Sequence, residues 1–172
     1  AYVRNAGLFD TVYFVMTRIT GLILVALLSI VSGYFIVASL LKAGTWPLIV
    51  SKFKTLIVPL VSWNVLIFTV FLIHYLVTGV WQDLPQGTPL AIANAFLAIT
   101  EWPLNVPLWF LRDLFVCCLL SPLLYFGIKQ HPVVTAIVVI LFALAGTDLH
   151  LLQRPQLLLF FGAGMWLRVA GA

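Results

Sequence analysis

Long apolar segments separated by short polar connections dominate this sequence and limit the folds that it can adopt. The first covers residues 12–41, and Arg18 is its only charged residue. An α-helix rises about 1.5 Å per residue, so roughly 20 apolar residues cross the hydrocarbon core of a bilayer, which is about 30 Å thick. This segment is therefore long enough to cross a membrane as a tilted helix.

Applied to every apolar segment of the sequence, the same length criterion predicts an all-α protein, a polytopic bundle of about five transmembrane helices. Residues 1–172 are predicted to form one partial domain. The composition agrees, since 63% of the residues are hydrophobic and 8% are charged, whereas a soluble domain has about 25% charged residues. A further apolar stretch, residues 90–99, is too short to cross and is predicted to form an interfacial or re-entrant helix in the outer loop. The predicted spans are residues 12–41, 56–80, 108–128, 133–147 and 156–169.

The basic residues predict how these helices are oriented. If all five helices cross, five basic residues fall on one side, and the positive-inside rule makes that side cytoplasmic. The first helix of the sequence then starts outside the cytoplasm, which predicts that another helix precedes it in the complete protein. Basic residues scattered singly in this way do not form the patch that nucleic-acid binding needs. The five residues are Lys42, Lys52, Lys54, Lys129 and Arg168.

Ionisable residues inside predicted spans are costly in a membrane and are therefore candidates for function. Arg18 shares a helical face with small and polar residues that include Ser29 and Ser32. That face is expected to lie against the bundle, with Arg18 either turned inward or reaching to the membrane surface. Arg112 and Asp113 are either binding groups or an anchor near the surface. Each is expected to find its partner on another helix, since adjacent helical residues do not face each other.

The remaining polar candidates have a structural alternative as well. His74, next to Tyr75 in the second predicted span, is either a proton carrier or a hydrogen-bonded packing residue. Lys52 and Lys54 either set the topology or contact the phosphates of a cytosolic donor. The two adjacent cysteines are expected to be packing residues, and no metal site is predicted.

Four segments resemble, in order and in spacing, sequences of acyltransferase family 3, the bacterial membrane O-acyltransferases that modify sugars. WFLRDL, at the start of the third predicted span, is the most specific part. The resemblance extends over about residues 12–168. The four segments are SGYFI (32–36), SKFKTLIVPLVSWN (51–64), PLWFLRDLFVCCLLSPLL (107–124) and LLLFFGAGMWL (157–167).

The resemblance implies an enzyme of the bacterial inner membrane that moves an acyl group, usually acetyl from acetyl-CoA, to a carbohydrate hydroxyl. Acetyl-CoA is then a donor substrate, no cofactor is tightly bound, and the acceptor is a carbohydrate or a lipid-linked glycan. Lys52 and Lys54 are the candidates for binding the coenzyme A phosphates. The candidate catalytic residues are Arg18, His74, Arg112 and Asp113, and the candidate acceptor-binding residues are Ser32, Tyr75 and Trp109.

The sequence departs from the family pattern in two places. Family members carry an arginine and a histidine in their first membrane helix, and that histidine is the leading candidate for the catalytic base; this sequence contains no such helix. The family also has two basic residues three apart where this sequence has Lys52 and Thr55. The chain is therefore expected to be a fragment that is inactive alone.

Two alternatives to the enzyme remain open from the sequence. They are a transporter or flippase for glycans or lipid-linked sugars, and a non-catalytic membrane scaffold.

Overall fold

The computed structural model describes residues 20–79, 88–97, 104–105, 108–145 and 152–171, with side chains from residue 23 onward. Every regular element in these ranges is helical, which confirms the all-α prediction. Arg18 and the predicted helical residues 12–19, 80, 98–99 and 146–147 lie outside the described residues. The elements are α1 (Thr20–Ala43), α2 (Thr45–Lys52), a π-helical turn (Phe53–Ile57), α3 (Val58–Thr78), α4 (Pro89–Leu97), α5 (Trp109–Gln130), α6 (Pro132–Ala145) and α7 (Gln156–Ala170).

Three helical segments are long and apolar enough to cross a membrane, judged by length and composition. They are Ile23–Ala43, Thr45–Thr78 and Trp109–Gln130. The other two predicted spans correspond to α6 and α7, which are apolar helices of 14 and 15 described residues. At about 1.5 Å per residue these two cover roughly 21–22 Å, less than the full hydrocarbon thickness.

The second predicted span is part of a longer helical segment than the sequence indicated. It begins at Thr45 and not at residue 56, because the break lies at Gly44 alone. Gly44 has φ 80° and ψ 174°, a conformation that only glycine adopts readily. Pro47 then falls in the first turn of the new helix, where a missing N–H removes no hydrogen bond. Gly44 therefore separates α1 from α2, and Leu48 of α2 is buried in the core.

A π-helical turn joins α2 to α3 and accommodates Pro59. In a regular α-helix the proline ring clashes with the carbonyl four residues earlier. Here the helix widens by one residue over Phe53–Ile57, and the Val58 N–H donates to the Phe53 carbonyl, five residues back. The widened turn lets the helix continue through the proline.

The longest helix–helix contact joins α1 to α7, which run parallel. Val25 and Leu157 line one cavity near the starts of the two helices, and Tyr34 contacts Arg168 further along. At Gly33 and Gly164 the backbones approach so closely that an added Cβ would overlap a carbonyl oxygen of the other helix. Small residues that allow such an approach are typical of contacts between membrane helices.

The core lies between α1, α5 and α7. Its fully buried side chains include Ile36, Cys117, Phe161 and Met165. Cys117 and Cys118 are both buried free thiols packed in this core. Ser29, on the expected polar face of α1, is also fully buried and donates from its hydroxyl to the Val25 carbonyl at 2.9 Å.

Asn64 connects α3 to the segment that contains the short helix α4. Its Nδ2 donates to the Phe96 carbonyl at 3.0 Å, and its Oδ1 accepts from the Asn105 N–H at 3.0 Å. Asn64 lies 14 residues (78 − 64) before the end of α3 at Thr78, which is about 21 Å along the helix. Of the two placements predicted for this short helix, a contact with α3 this far from Thr78 favours the re-entrant one.

Candidate functional site

The first turn and a half of α5 carries a buried ion pair inside an otherwise apolar helix. Arg112 Nη1 lies 2.8 Å from Asp113 Oδ1, and the two residues are 9% and 0% exposed. The prediction that each would find its partner on another helix is wrong for this contact, which joins two neighbours on α5. The arginine side chain is long enough to fold across to its neighbour, and in a low-dielectric interior a buried charge is costly unless it is paired.

Asp113 also holds the polypeptide just before α7. Its Oδ1 accepts from the Gln153 N–H at 3.2 Å, and its Oδ2 accepts from the Arg154 N–H at 3.0 Å. With the contact from Arg112, both carboxylate oxygens are occupied by donors. This three-way contact, the Asp113 clamp, fixes the backbone of residues 153–154 against the first turns of α5.

The clamp leaves the Arg154 side chain beside Trp109, the first residue of α5. Arg154 Cζ lies 4.8 Å from the centroid of the Trp109 ring, within the range of a cation–π contact. Asp113 is the only acidic residue within the described ranges, and no carboxylate there forms an ion pair with Arg154. Sequence reasoning assigned Arg154 no role, because its neighbours Trp109 and Asp113 lie more than 40 positions away and only the tertiary fold brings them together.

A cavity of about 460 Å³ opens beside these side chains, between the starts of α1, α5 and α7. One wall is polar and contains the Trp109 indole, the Arg154 guanidinium and the Gln156 amide. The rest is apolar. Trp109, predicted to bind the acceptor, lies on this cavity, whose other lining residues are Val25, Ala26, Leu157 and Phe160.

The structure does not bring His74 and Tyr75 to this cavity. Asn64 bonds to Asn105, whose carbonyl accepts from the Leu108 N–H at 3.0 Å, so α5 begins near the level of Asn64. His74 lies ten residues further along α3, or about 15 Å. It is exposed, and its Nδ1 lies 3.5 Å from the Thr78 hydroxyl.

The π-helical turn packs against α5 at a position that follows the ion pair. The Phe53 ring meets the Phe115 ring edge to face, with centroids 6.0 Å apart. Lys52, immediately before this turn, is half-buried, whereas Lys54 within it is exposed. The contact of Phe53 with Phe115 lies six residues (115 − 109) along α5 from Trp109, or about 9 Å. Neither lysine forms an ion pair with Asp113.

A second cation–aromatic pair joins α1 and α7 near Ser32. Arg168 Nη1 donates to the Tyr34 hydroxyl at 3.1 Å, and Arg168 Cζ lies 5.2 Å from the Tyr34 ring centroid. Ser32 is half-buried on the preceding turn. Within the described residues, no group of three or more His, Cys, Asp or Glu side chains comes together in a way that would hold a metal ion.

Comparisons with known proteins add family information to this geometry. The model of the acyltransferase domain family matches residues 2–171. The chain is 28% identical over 177 residues to the succinoglycan biosynthesis protein ExoH of Rhizobium meliloti (strain 1021), covering 99% of this chain and 47% of that protein. The chain thus spans about half the length of this relative. No solved structure matches the chain.

Proposed function

Because the chain belongs to the acyltransferase 3 family, we propose that the protein containing it is an integral membrane enzyme that transfers an acyl group to a polysaccharide hydroxyl. The observation that carries this proposal is the family match over nearly the whole chain. The likeness to a protein named for succinoglycan biosynthesis supports a polysaccharide, or a lipid-linked precursor of one, as the acceptor.

The donor in this proposal is an acyl-CoA, and acetyl-CoA is the first to test. The protein resides in the bacterial plasma membrane with its lysine-bearing loops in the cytoplasm. Lys52 supports a donor site there, since it is half-buried next to a π-helical turn, a feature frequent at functional sites. Lys52 and Lys54 bind phosphate oxygens of coenzyme A as point charges.

The proposed reaction is a direct acyl transfer. The acceptor hydroxyl oxygen attacks the thioester carbonyl while a base removes the hydroxyl proton, and the carbonyl oxygen becomes an oxyanion. The carbon–sulfur bond then breaks, the coenzyme A sulfur leaves and takes a proton, and an ester remains on the sugar. We assign the base to the histidine that the family carries in a preceding helix, because His74 lies far from the ion pair.

Arg112 is the proposed oxyanion or acceptor ligand in this scheme. A guanidinium has five N–H donors in a fixed plane, and the Asp113 clamp fixes the orientation of that plane. Asp113 accordingly acts as a positioning residue, because its two oxygens are already occupied by donors. A preorganised donor of this kind stabilises charge that develops in the transition state.

A transporter or flippase would use the same buried charges as a substrate path. The family match favours the enzyme, and the two functions differ in their products. Two strains are compared, one that lacks the gene and one in which the complete protein has been restored. The restored strain should carry more ester on its envelope or secreted polysaccharide. Proton NMR before and after mild alkaline treatment measures that ester. Equal ester content in both strains, with a changed glycan distribution across the membrane, would overturn the enzyme in favour of the transporter.

A further inference from the structure

The cavity beside Trp109 presents a cation whose charge no described carboxylate balances. Arg154 is half-buried, its backbone N–H is bound by Asp113, and its guanidinium contacts the Trp109 ring. The single acidic residue of the described ranges, Asp113, already accepts from Arg112 and from two backbone N–H groups. A cation in a largely apolar surrounding is costly without an anionic partner.

The cavity has the size and lining of a small-ligand site. Its volume of about 460 Å³ falls within the range of roughly 300–1,000 Å³ that is usual for ligand pockets. The polar side chains converge from α5 and from the start of α7, and the opposite wall is apolar. This combination suits a sugar ring, whose C–H faces pack against apolar and aromatic walls while its hydroxyls form hydrogen bonds with the Gln156 amide.

The positive charge of Arg154 favours a ligand that carries a negative charge. The guanidinium fork matches carboxylate and phosphate oxygens with two parallel hydrogen bonds. Its only described partner through the side chain is the face of Trp109, and a cation–π contact does not neutralise the charge. The ligand that complements the cavity is therefore a glycan with an anionic substituent.

We propose that the cavity bounded by Trp109, Arg154 and Gln156 binds an anionic group, a carboxylate or a phosphate, on the acceptor glycan. This inference rests on the proposed acyltransferase function and adds to it the charge of the acceptor. A carboxylate would come from an acidic sugar, and a phosphate from the carrier of a lipid-linked sugar. Both are bound by the same guanidinium fork.

The test compares three acceptors in membranes that contain the complete protein: a neutral oligosaccharide, the same oligosaccharide with a uronic acid, and the same oligosaccharide with a terminal phosphate. The wild-type protein should show a lower KM for at least one charged acceptor, and the better of the two identifies the source of the anion. Arg154→Gln should raise the KM for that acceptor by about ten- to a hundred-fold, the value of one charge-assisted contact. Its kcat, and its KM for the neutral acceptor, should change little.

Two further variants distinguish binding from a structural role. Arg154→Lys keeps the charge and loses the fork, so it should keep the preference for the charged acceptor with an intermediate KM. Arg168→Gln removes the second cation–aromatic pair, between α7 and α1 and outside the cavity, and should leave the preference unchanged. If Arg154→Gln does not fold, the Arg154→Lys comparison still tests the proposal.

The failures of the two proposals are distinguishable. Absence of transfer to any acceptor by the wild-type protein would overturn the acyltransferase function itself. Transfer with equal KM values for charged and neutral acceptors would overturn only the anionic site. An equal rise in KM for all three acceptors in Arg154→Gln would also overturn it, since that outcome means Arg154 supports the fold or pairs with another part of the protein.

Discussion

The carboxylate of Asp113 accepts a hydrogen bond from the backbone N–H of Arg154, 41 positions further along the chain, at a distance of 3.0 Å. This contact ties the start of α5 to the start of α7. It places the buried Arg112 and the cavity-facing Arg154 on either side of one carboxylate. One residue thus organises both cations of the candidate site.

Replacing Asp113 tests this organisation. Asp113→Asn keeps the shape but removes the charge that balances Arg112, and it sets an NH2 group against N–H donors. Breaking a buried ion pair by removing one partner costs about 3–5 kcal/mol, so the variant should be strongly destabilised. The melting temperature of the complete protein in detergent measures the change.

The double variant Arg112→Gln with Asp113→Asn provides the control. It leaves no uncompensated charge in the interior, so it should be less destabilised than Asp113→Asn alone. If the single variant is as stable as the wild type, or if the effects of the two substitutions simply add, the ion pair does not stabilise the contact between α5 and the start of α7.

The contact between α1 and α7 predicts a difference between two glycines of one helix. A Cβ at Gly164 would overlap the Ile30 carbonyl oxygen, whereas a Cβ at Gly162 would have Val139 Cγ1 as its nearest neighbour at 3.9 Å. Both substitutions by alanine gain about 1 kcal/mol of helix propensity. Gly164→Ala should therefore lower the melting temperature through overpacking, which costs about 1–3 kcal/mol or more, and Gly162→Ala should not. Equal behaviour of the two variants would contradict the close backbone approach.

The turn between α1 and α2 predicts a selective requirement for glycine. Gly44 has φ 80° and ψ 174°, whereas Gly79 has φ 70° and ψ 3°, the ordinary left-handed conformation. Asparagine enters the left-handed region readily but not the region of Gly44. Gly79→Asn should be tolerated, and Gly44→Asn should cost about 1–3 kcal/mol from backbone strain alone, since no atom lies within 4 Å of a Cβ there. Thermal unfolding of both variants checks this; a tolerated Gly44→Asn would show that the turn is formed differently.

The position of α4 depends on Asn64 and can be tested without measuring activity. Asn64→Asp keeps an acceptor for the Asn105 N–H but places an oxygen against the Phe96 carbonyl. Loss of the hydrogen bond to the Phe96 carbonyl should detach the α4 segment from α3, because an unsatisfied buried polar group costs about 1–3 kcal/mol. A cysteine introduced at Leu97 should then react faster with a membrane-impermeant maleimide. Ser62→Ala, on the exposed face of α3, is the matched control and should leave the labelling rate unchanged.

The sequence was most informative where the signal is local. Apolar length predicted a helix at α1, α3, α4, α5, α6 and α7. Helical spacing predicted the face of α1 that buries Ser29. The start at Thr45 was missed because Pro47 reads as a stop, although proline is compatible with a first helical turn. The π-helical turn was missed because nothing but the later Pro59 signals it.

The site was only half predictable for a related reason. Trp109 and Arg112 lie in one recognisable motif, so the sequence could single them out together. The roles of Asp113 and Arg154 depend on hydrogen bonds that span about 40 residues, and no local pattern encodes these. His74 was singled out because it is an ionisable residue in an apolar helix. In the fold it is exposed and lies next to Thr78.

The most direct test of the acyltransferase function is labelled acyl transfer in membranes that contain the complete protein. Label from acetyl-CoA should appear as alkali-labile ester on the polysaccharide with the wild-type protein. Arg112→Ala leaves Asp113 unpaired and destabilises the protein, so its rate is measured per folded protein in the membrane. That rate should fall by about 100-fold or more, the usual effect of removing one preorganised donor to an oxyanion. Transfer by Arg112→Ala at the wild-type rate would contradict the catalytic role of Arg112, and no ester formation by the wild type with any acyl-CoA would contradict the enzyme.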